Sequence, residues 1–226
     1  MKKLFPFLAV VSMVVAGFAQ QQGSAVADPE AGAMLEKATS RFKSFKSVDV
    51  DFTLTTIRPK LKPDEPDSKY TSNDNGKLYM KGNKFKIAMN GVDIYCDGKT
   101  IWSYNPKTKE IQVNDYEESQ ETFSPTKIFS VYKEGYSYQI KEKKTYAGKN
   151  VTVIELAPQN RKVSYFKIDV ALDDATNDVI ESKIYEKSGV RYIYKINKLN
   201  SAASLSDEFF VCDAKKYPGA KVVDLR

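Results

Sequence analysis

Residues able to do chemistry are scarce in this chain. Its 226 residues include no histidine, which removes the commonest general base, the commonest zinc ligand and every Ser-His or Cys-His pair. There is no Gly-x-Ser-x-Gly and no glycine-rich phosphate loop. Asp173, Asp174 and Asp178 gather oxygen donors in one stretch, but their spacing fits no calcium loop. They fall in a hairpin turn, where aspartate is ordinary turn chemistry. Glu117, Glu118 and Glu121 offer carboxylates of the glycosidase kind. They sit in a polar loop with no sign of burial, so they read as surface acids. Cys96 and Cys212 are the only cysteines. They either close a disulfide in an oxidising compartment or pack as two small apolar thiols. The reading is a protein that is not an enzyme and uses neither cofactor nor metal.

What the chain has in quantity is aromatic side chains: 14 tyrosines, 12 phenylalanines and one tryptophan. They serve either a β core or a lined cavity for an apolar ligand. Their placement follows period two. Between Gly76 and Pro106, turn signals at Gly82-Asn83, Asn90-Gly91 and Asp97-Gly98 mark hairpins. Leu78 and Met80 alternate with Lys77, Tyr79 and Lys81, and Phe85, Ile87 and Met89 alternate with Lys84 and Lys86. These are antiparallel strands with one wet face and one apolar face. Phe52 and Leu54 follow the same alternation in the strand Val48 to Ile57.

The remaining elements must position that apolar face. Lys2 and Lys3, the apolar run Leu4 to Phe18 and small residues at Ala19 read as a secretory signal peptide over residues 1–19, with Ala27 as a second cleavage point. About 15 apolar residues are short for a span of roughly 20. The leader carries two lysines and no acid, so the net charge of +6 falls to +4 in a mature domain of residues 20–226. The lysines are scattered along strands, which argues against nucleic acid. Asp28-Pro29 opens an amphipathic helix ending near Phe45. Three prolines between Arg58 and Asp67 make a loop. Ser124-Pro125 opens a short apolar helix through Ile128, Phe129, Val131 and Tyr132 that rests on the sheet as a fixed plug or a movable lid. Lys141 to Gly148 reads as a charged turn, and Phe209 to Cys212 as a last short strand. About eleven strands in all, mainly β, are too many for a flat sheet. The expected architecture is a single curved antiparallel sheet, an unclosed barrel, covered by the N-terminal helix and the short helical lid.

The run Gly76-x-Leu78-Tyr79-x-Lys81, then Asn83-x-Phe85-x-Ile87, then Asp97-Gly98-Lys99-Thr100-x-Trp102-x-Tyr104-Asn105-Pro106 resembles the LolA-type periplasmic lipoprotein carriers. So do Leu156-Ala-Pro158, Phe166-x-Ile168-x-Val170 and the end Asp207-Glu208-Phe209-Phe210. The likeness extends over nearly the whole mature chain. It implies a monomeric carrier, exported to the periplasm, that takes lipoproteins from an inner-membrane ABC transporter and passes them to an outer-membrane acceptor. The implied lipid-binding residues are Phe52, Leu54, Leu78, Met80, Phe85, Ile87, Met89, Ile94, Trp102 and Tyr104; Phe123, Ile128, Phe129, Val131 and Tyr132 would form the lid. One departure stands out. Many carriers have an Arg-Pro pair after the lysine matching Lys81, with the arginine bonded to the lid. Here the chain reads Lys81-Gly82-Asn83-Lys84, so lid locking through that arginine is not expected. A lipoprotein-sensing envelope module on the same fold, or a non-catalytic structural β-protein, is the rival reading.

Overall fold

The computed structural model of the chain describes residues 27–116 and 135–226. The expected leader and the lid residues Phe123, Ile128, Phe129, Val131 and Tyr132 lie outside the described residues, as do Glu117, Glu118 and Glu121. One helix, α1 (Pro29–Ser44), precedes the sheet. Asp28 caps it: one carboxylate oxygen, Oδ1, accepts from the Glu30 and Ala31 amides, and Pro29 occupies the first helical position. Oδ2 of the same carboxylate accepts from the Ile140 amide at 3.3 Å and so ties the helix start to the sheet.

Twelve strands follow: β1 (Val48–Ile57), β2 (Thr71–Lys81), β3 (Lys84–Met89), β4 (Val92–Cys96), β5 (Thr100–Asn105), β6 (Glu110–Asp115), β7 (Tyr136–Tyr146), β8 (Lys149–Pro158), β9 (Tyr165–Asp173), β10 (Val179–Glu186), β11 (Arg191–Asn200) and β12 (Lys221–Asp224). They form one sheet in the order β12-β6-β5-β4-β3-β2-β1-β11-β10-β9-β8-β7. Every pairing is antiparallel except β12 on β6. β7 and β12 are the two edges and do not pair, so the barrel is open. Register shifts at Asp51/Phe52 and Val179/Glu181 mark bulges, which bend and twist a strand where a large sheet must curl.

Sequence and structure differ at two elements. The predicted turn from Lys141 to Gly148 is strand as far as Tyr146, and only Ala147 and Gly148 turn, both with positive φ. The predicted last strand at Phe209 is instead a 3-10 turn, Asp207–Phe210, lying against β3. Its two phenylalanines pack on side chains rather than on a ladder: Phe209 meets Tyr79 edge-on at 4.9 Å and Phe210 at 5.4 Å.

Candidate ligand face

Opposite residues of an antiparallel pair share a face, so the register sorts the side chains. Val48, Val50, Phe52 and Leu54 of β1 stand beside Met80, Leu78 and Gly76 of β2 on the concave face. Phe85, Ile87 and Met89 of β3 continue the row, followed by Cys96, Ile94 and Val92 of β4. Gly76 belongs there for a steric reason: a Cβ would come within 2.4 Å of the Phe52 ring. From the other side of β1, Tyr192, Tyr194, Ile196 and Leu199 of β11 complete the surface.

The concave face has two halves. Over β7–β10, α1 lays Ala31, Leu35 and Ala38 on Ile154, Leu156, Ile168, Val170, Leu172 and Ile184. That half is filled core. Over β1–β5 the described helix contributes Phe42, with Phe45 just beyond its end, and does not run across the sheet. There Ile87, Met89, Ile94 and Ile101 remain only partly buried around Val50, Leu78, Met80 and Phe85. Tyr116, at the end of β6, crosses back to set its ring edge-on to Phe85 at 5.7 Å. The surface is apolar and chemically quiet. Burial pushes the Tyr194 hydroxyl up to about 12 and the Cys96 thiol up to about 11, so both stay neutral near pH 7. Asp74 stands at its rim, where Asn90 Nδ2 donates to it at 2.8 Å. Such a surface can hold hydrocarbon by excluding water.

Of the ten residues predicted to meet lipid, eight lie on this face: Phe52, Leu54, Leu78, Met80, Phe85, Ile87, Met89 and Ile94. Trp102 and Tyr104 do not. Ile94 stands opposite Ser103, while Trp102 is opposite Tyr95 and Tyr104 opposite Asp93, so both aromatics are on the convex face. Period two carried through the hairpin puts Ile101, not Trp102, on the concave side. Of the two readings left open for Cys96 and Cys212, the structure has the free thiols. Cys96 is fully buried on the concave side, whereas Cys212 follows the 3-10 turn that covers the convex side. The sequence reading missed Ile101, Tyr192, Tyr194 and Ile196; the alternation in β11 carried the signal for the last three.

The convex face of β2–β6 is roofed by the chain's end. Lys81 and Lys84 grip Asp207 at 2.9 and 2.7 Å, and Lys81 also donates to the Leu205 carbonyl. These lysine bonds, Lys84's first, hold the Asp207 carboxyl down to about 2. Further along, Tyr217 donates to Asp93 at 2.5 Å, meets the Tyr95 hydroxyl at 2.8 Å and stacks on Tyr104 at 4.0 Å. Burial, then these two partners, raises the Tyr217 hydroxyl well above the usual phenol range. The loop that lacks the carriers' arginine therefore has another job here: its two flanking lysines clamp the C-terminal segment. Asp173, Asp174 and Asp178 are in the β9–β10 turn as expected; Asp173 pairs with Lys149 at 2.6 Å and Asp178 with Arg41 at 2.8 Å.

Comparison with known proteins finds chains similar to this one. A protein of unknown function from Thermus thermophilus superposes with a TM-score of 0.57 over 86% of this chain and 99% of its own, at 10% identity. A LolA superfamily protein from Nitrosomonas europaea gives 0.43 over 80% and 97% at 16% identity. Lipoprotein LppX from Mycobacterium tuberculosis gives 0.49 over 80% and 100% at 13% identity. No curated protein matches the sequence. The sequence itself matches the family described as outer membrane lipoprotein carrier protein LolA over residues 43–213, which run from the end of α1 through every strand but the last, and the protein belongs to that family.

Proposed function

We propose that this protein is a periplasmic carrier that holds the acyl chains of lipoproteins on the concave face of β1–β5 and moves them from the inner to the outer membrane. One observation carries the reading. Phe52, Leu54, Leu78, Ile87, Met89 and Ile94 form one continuous apolar surface, and α1 packs mainly on the other half of the sheet, meeting this one through Phe42 near its C-terminal end. Membership of the carrier family supports the same reading. In this reading the protein works by binding rather than catalysis, and as a monomer. An inner-membrane ABC transporter supplies the lipoprotein and an outer-membrane acceptor removes it.

The energetics suit a handover without ATP. Withdrawing an acyl chain of about fifteen carbons from water is worth roughly 12 kcal/mol at ~0.8 per methylene. Several chains bury over ~1,000 Å² at ~25 cal/mol per Å², more apolar area than a soluble monomer leaves exposed. The empty protein therefore needs a cover. Phe123, Ile128, Phe129, Val131 and Tyr132 supply enough apolar surface in one stretch to act as one. Displacing that cover offsets part of the gain from lipid and keeps binding reversible.

The test is to purify the exported protein, extract it with organic solvent and identify bound species by mass spectrometry, alongside titration with a triacylated lipopeptide. Bound lipoproteins and saturable lipopeptide binding are expected. A protein that carries no lipid and gives no heat with the lipopeptide overturns the proposal.

A further inference from the structure

The antiparallel register also decides which loops share an end of the barrel. The loop 58–70 and the turns 90–91, 106–109, 159–164 and 187–190 all lie at the end where β1 finishes. Together they hold nine lysines and arginines against three acids. The connections at the opposite end, 45–47, 82–83, 97–99, 147–148, 174–178 and 201–206, hold two cations against three acids. Charge in these described loops is thus polarised along the strand direction.

At the basic end, the loop 58–70 projects Leu61, the most exposed large apolar side chain among the described residues at 87%. A lone exposed leucine is ordinary. This one sits between Lys60 and Lys62 and between Pro59 and Pro63, on a loop that is fastened. The Arg58 amide donates to the Tyr70 carbonyl at 2.8 Å and closes the base. Tyr70 is buried, and its hydroxyl and Lys69 both bond Glu65. Lys60 pairs with Asp67 at 2.5 Å, and Pro59 abuts Gly189 of the β10–β11 turn. Leu61 is therefore held out by a braced loop, with little left to order on docking. An exposed apolar tip ringed by cations matches an anionic bilayer: headgroups attract the lysines and the leucine enters the acyl boundary.

We propose that this end of the barrel docks on anionic lipid surfaces, with Leu61 as the inserted side chain and Lys60 and Lys62 as its headgroup contacts. The proposal stands whether or not the concave face carries lipoproteins. The experiment is co-sedimentation of the full exported protein with phosphatidylglycerol-containing vesicles and with pure phosphatidylcholine vesicles, over a range of salt. Binding to the anionic vesicles is expected, weakening as salt rises. Leu61→Ser should lower the partition coefficient about tenfold, and the Lys60→Glu/Lys62→Glu pair should lower it at least that far. Lys46→Glu, at the opposite end, should leave it unchanged. All three variants change exposed side chains, and their melting curves establish that they fold. Absence of vesicle binding, equal binding to both vesicle types, or a Leu61→Ser variant that binds like the parent overturns the proposal. So does a rim variant that keeps vesicle binding but loses retention on an acidic protein partner, which would make the rim a protein-docking surface.

Discussion

Phe85 and Ile87 are neighbours on one strand and one face, yet they should fail differently when truncated. Phe85 is 3% exposed, wedged among Met80, Cys96 and Tyr116. Ile87, two residues on, is only partly buried between Leu78 and Ile94. Removing a buried phenylalanine ring costs about 3–5 kcal/mol, a large share of the roughly 5–15 kcal/mol that holds a domain. Phe85→Ala should therefore move the urea midpoint far down, and a charge at this position should prevent folding. Ile87→Ala gives up less in the empty protein, about 1–2 kcal/mol, because part of its surface is already wet. An arriving acyl chain would cover that remaining surface, worth about 1 kcal/mol. Ile87→Ala should then weaken acyl binding about fivefold. Urea unfolding and displacement of a fluorescent fatty acid, both run at a temperature where each variant is folded, separate the two effects. If folded Phe85→Ala loses as much stability as predicted but Ile87→Ala binds the probe like the parent, then the half-open surface is not the ligand face and the reasoning fails.

Three further outcomes are expected. Asp207 has its carboxyl lowered from 3.8 to about 2 by Lys84 and Lys81, so its contribution is fully present above about pH 4 and is lost as the pH falls through about 2. Melting curves of the parent and Asp207→Asn should differ near neutral pH and converge near pH 2; a constant gap would contradict the clamp. Because Cys96 and Cys212 are free and lie on opposite sides of the sheet, the melting temperature should not respond to reductant, and unfolding should release two titratable thiols. Trp102, the only tryptophan, lies across the sheet from Ile94, so a brominated fatty acid on the concave face should leave its emission unquenched; strong quenching would place the ligand on the wrong side.

Much of this was readable from period two. In β1, in the second half of β2 and in β3 the apolar phase is regular, and the two-residue turns 82–83 and 90–91 preserve it from β2 through β4. β5 defeats the reading because both of its phases are apolar enough: Ile101 and Ser103 face inward, Trp102 and Tyr104 outward. Size favoured the aromatics, but size says nothing about side. Only the pairing with β4 decides, and that is a non-local fact. The strand β7 beyond Ile140 was missed for a related reason. Its Lys-Glu-Lys-Lys run looks like a turn, yet Glu142 to Tyr146 pair fully with β8 and the lysines reach acids on other elements, Lys141 to Asp169 and Lys143 to Glu30. The C-terminal 3-10 turn had no local signal, because Phe209 and Phe210 are positioned by Tyr79 and the lysine clamp, over 100 residues away in sequence.

The outward aromatics explain how a half-covered sheet stays rigid. The β1–β6 half has a concave-side cluster around Val50, Met80, Phe85 and Cys96, and the convex side adds a second buried layer. Tyr95, Ile111, Val113 and Phe210 are each 5% exposed or less there, beneath the segment fastened by Asp207 and Tyr217. The same segment ends as β12, which pairs with β6 and leaves a four-residue strand as the sheet edge in place of β6. Stability taken from the convex side lets Ile87, Met89, Ile94 and Ile101 stay only partly buried. A surface that the fold buries only in part is one that a ligand can occupy and vacate without unfolding its host.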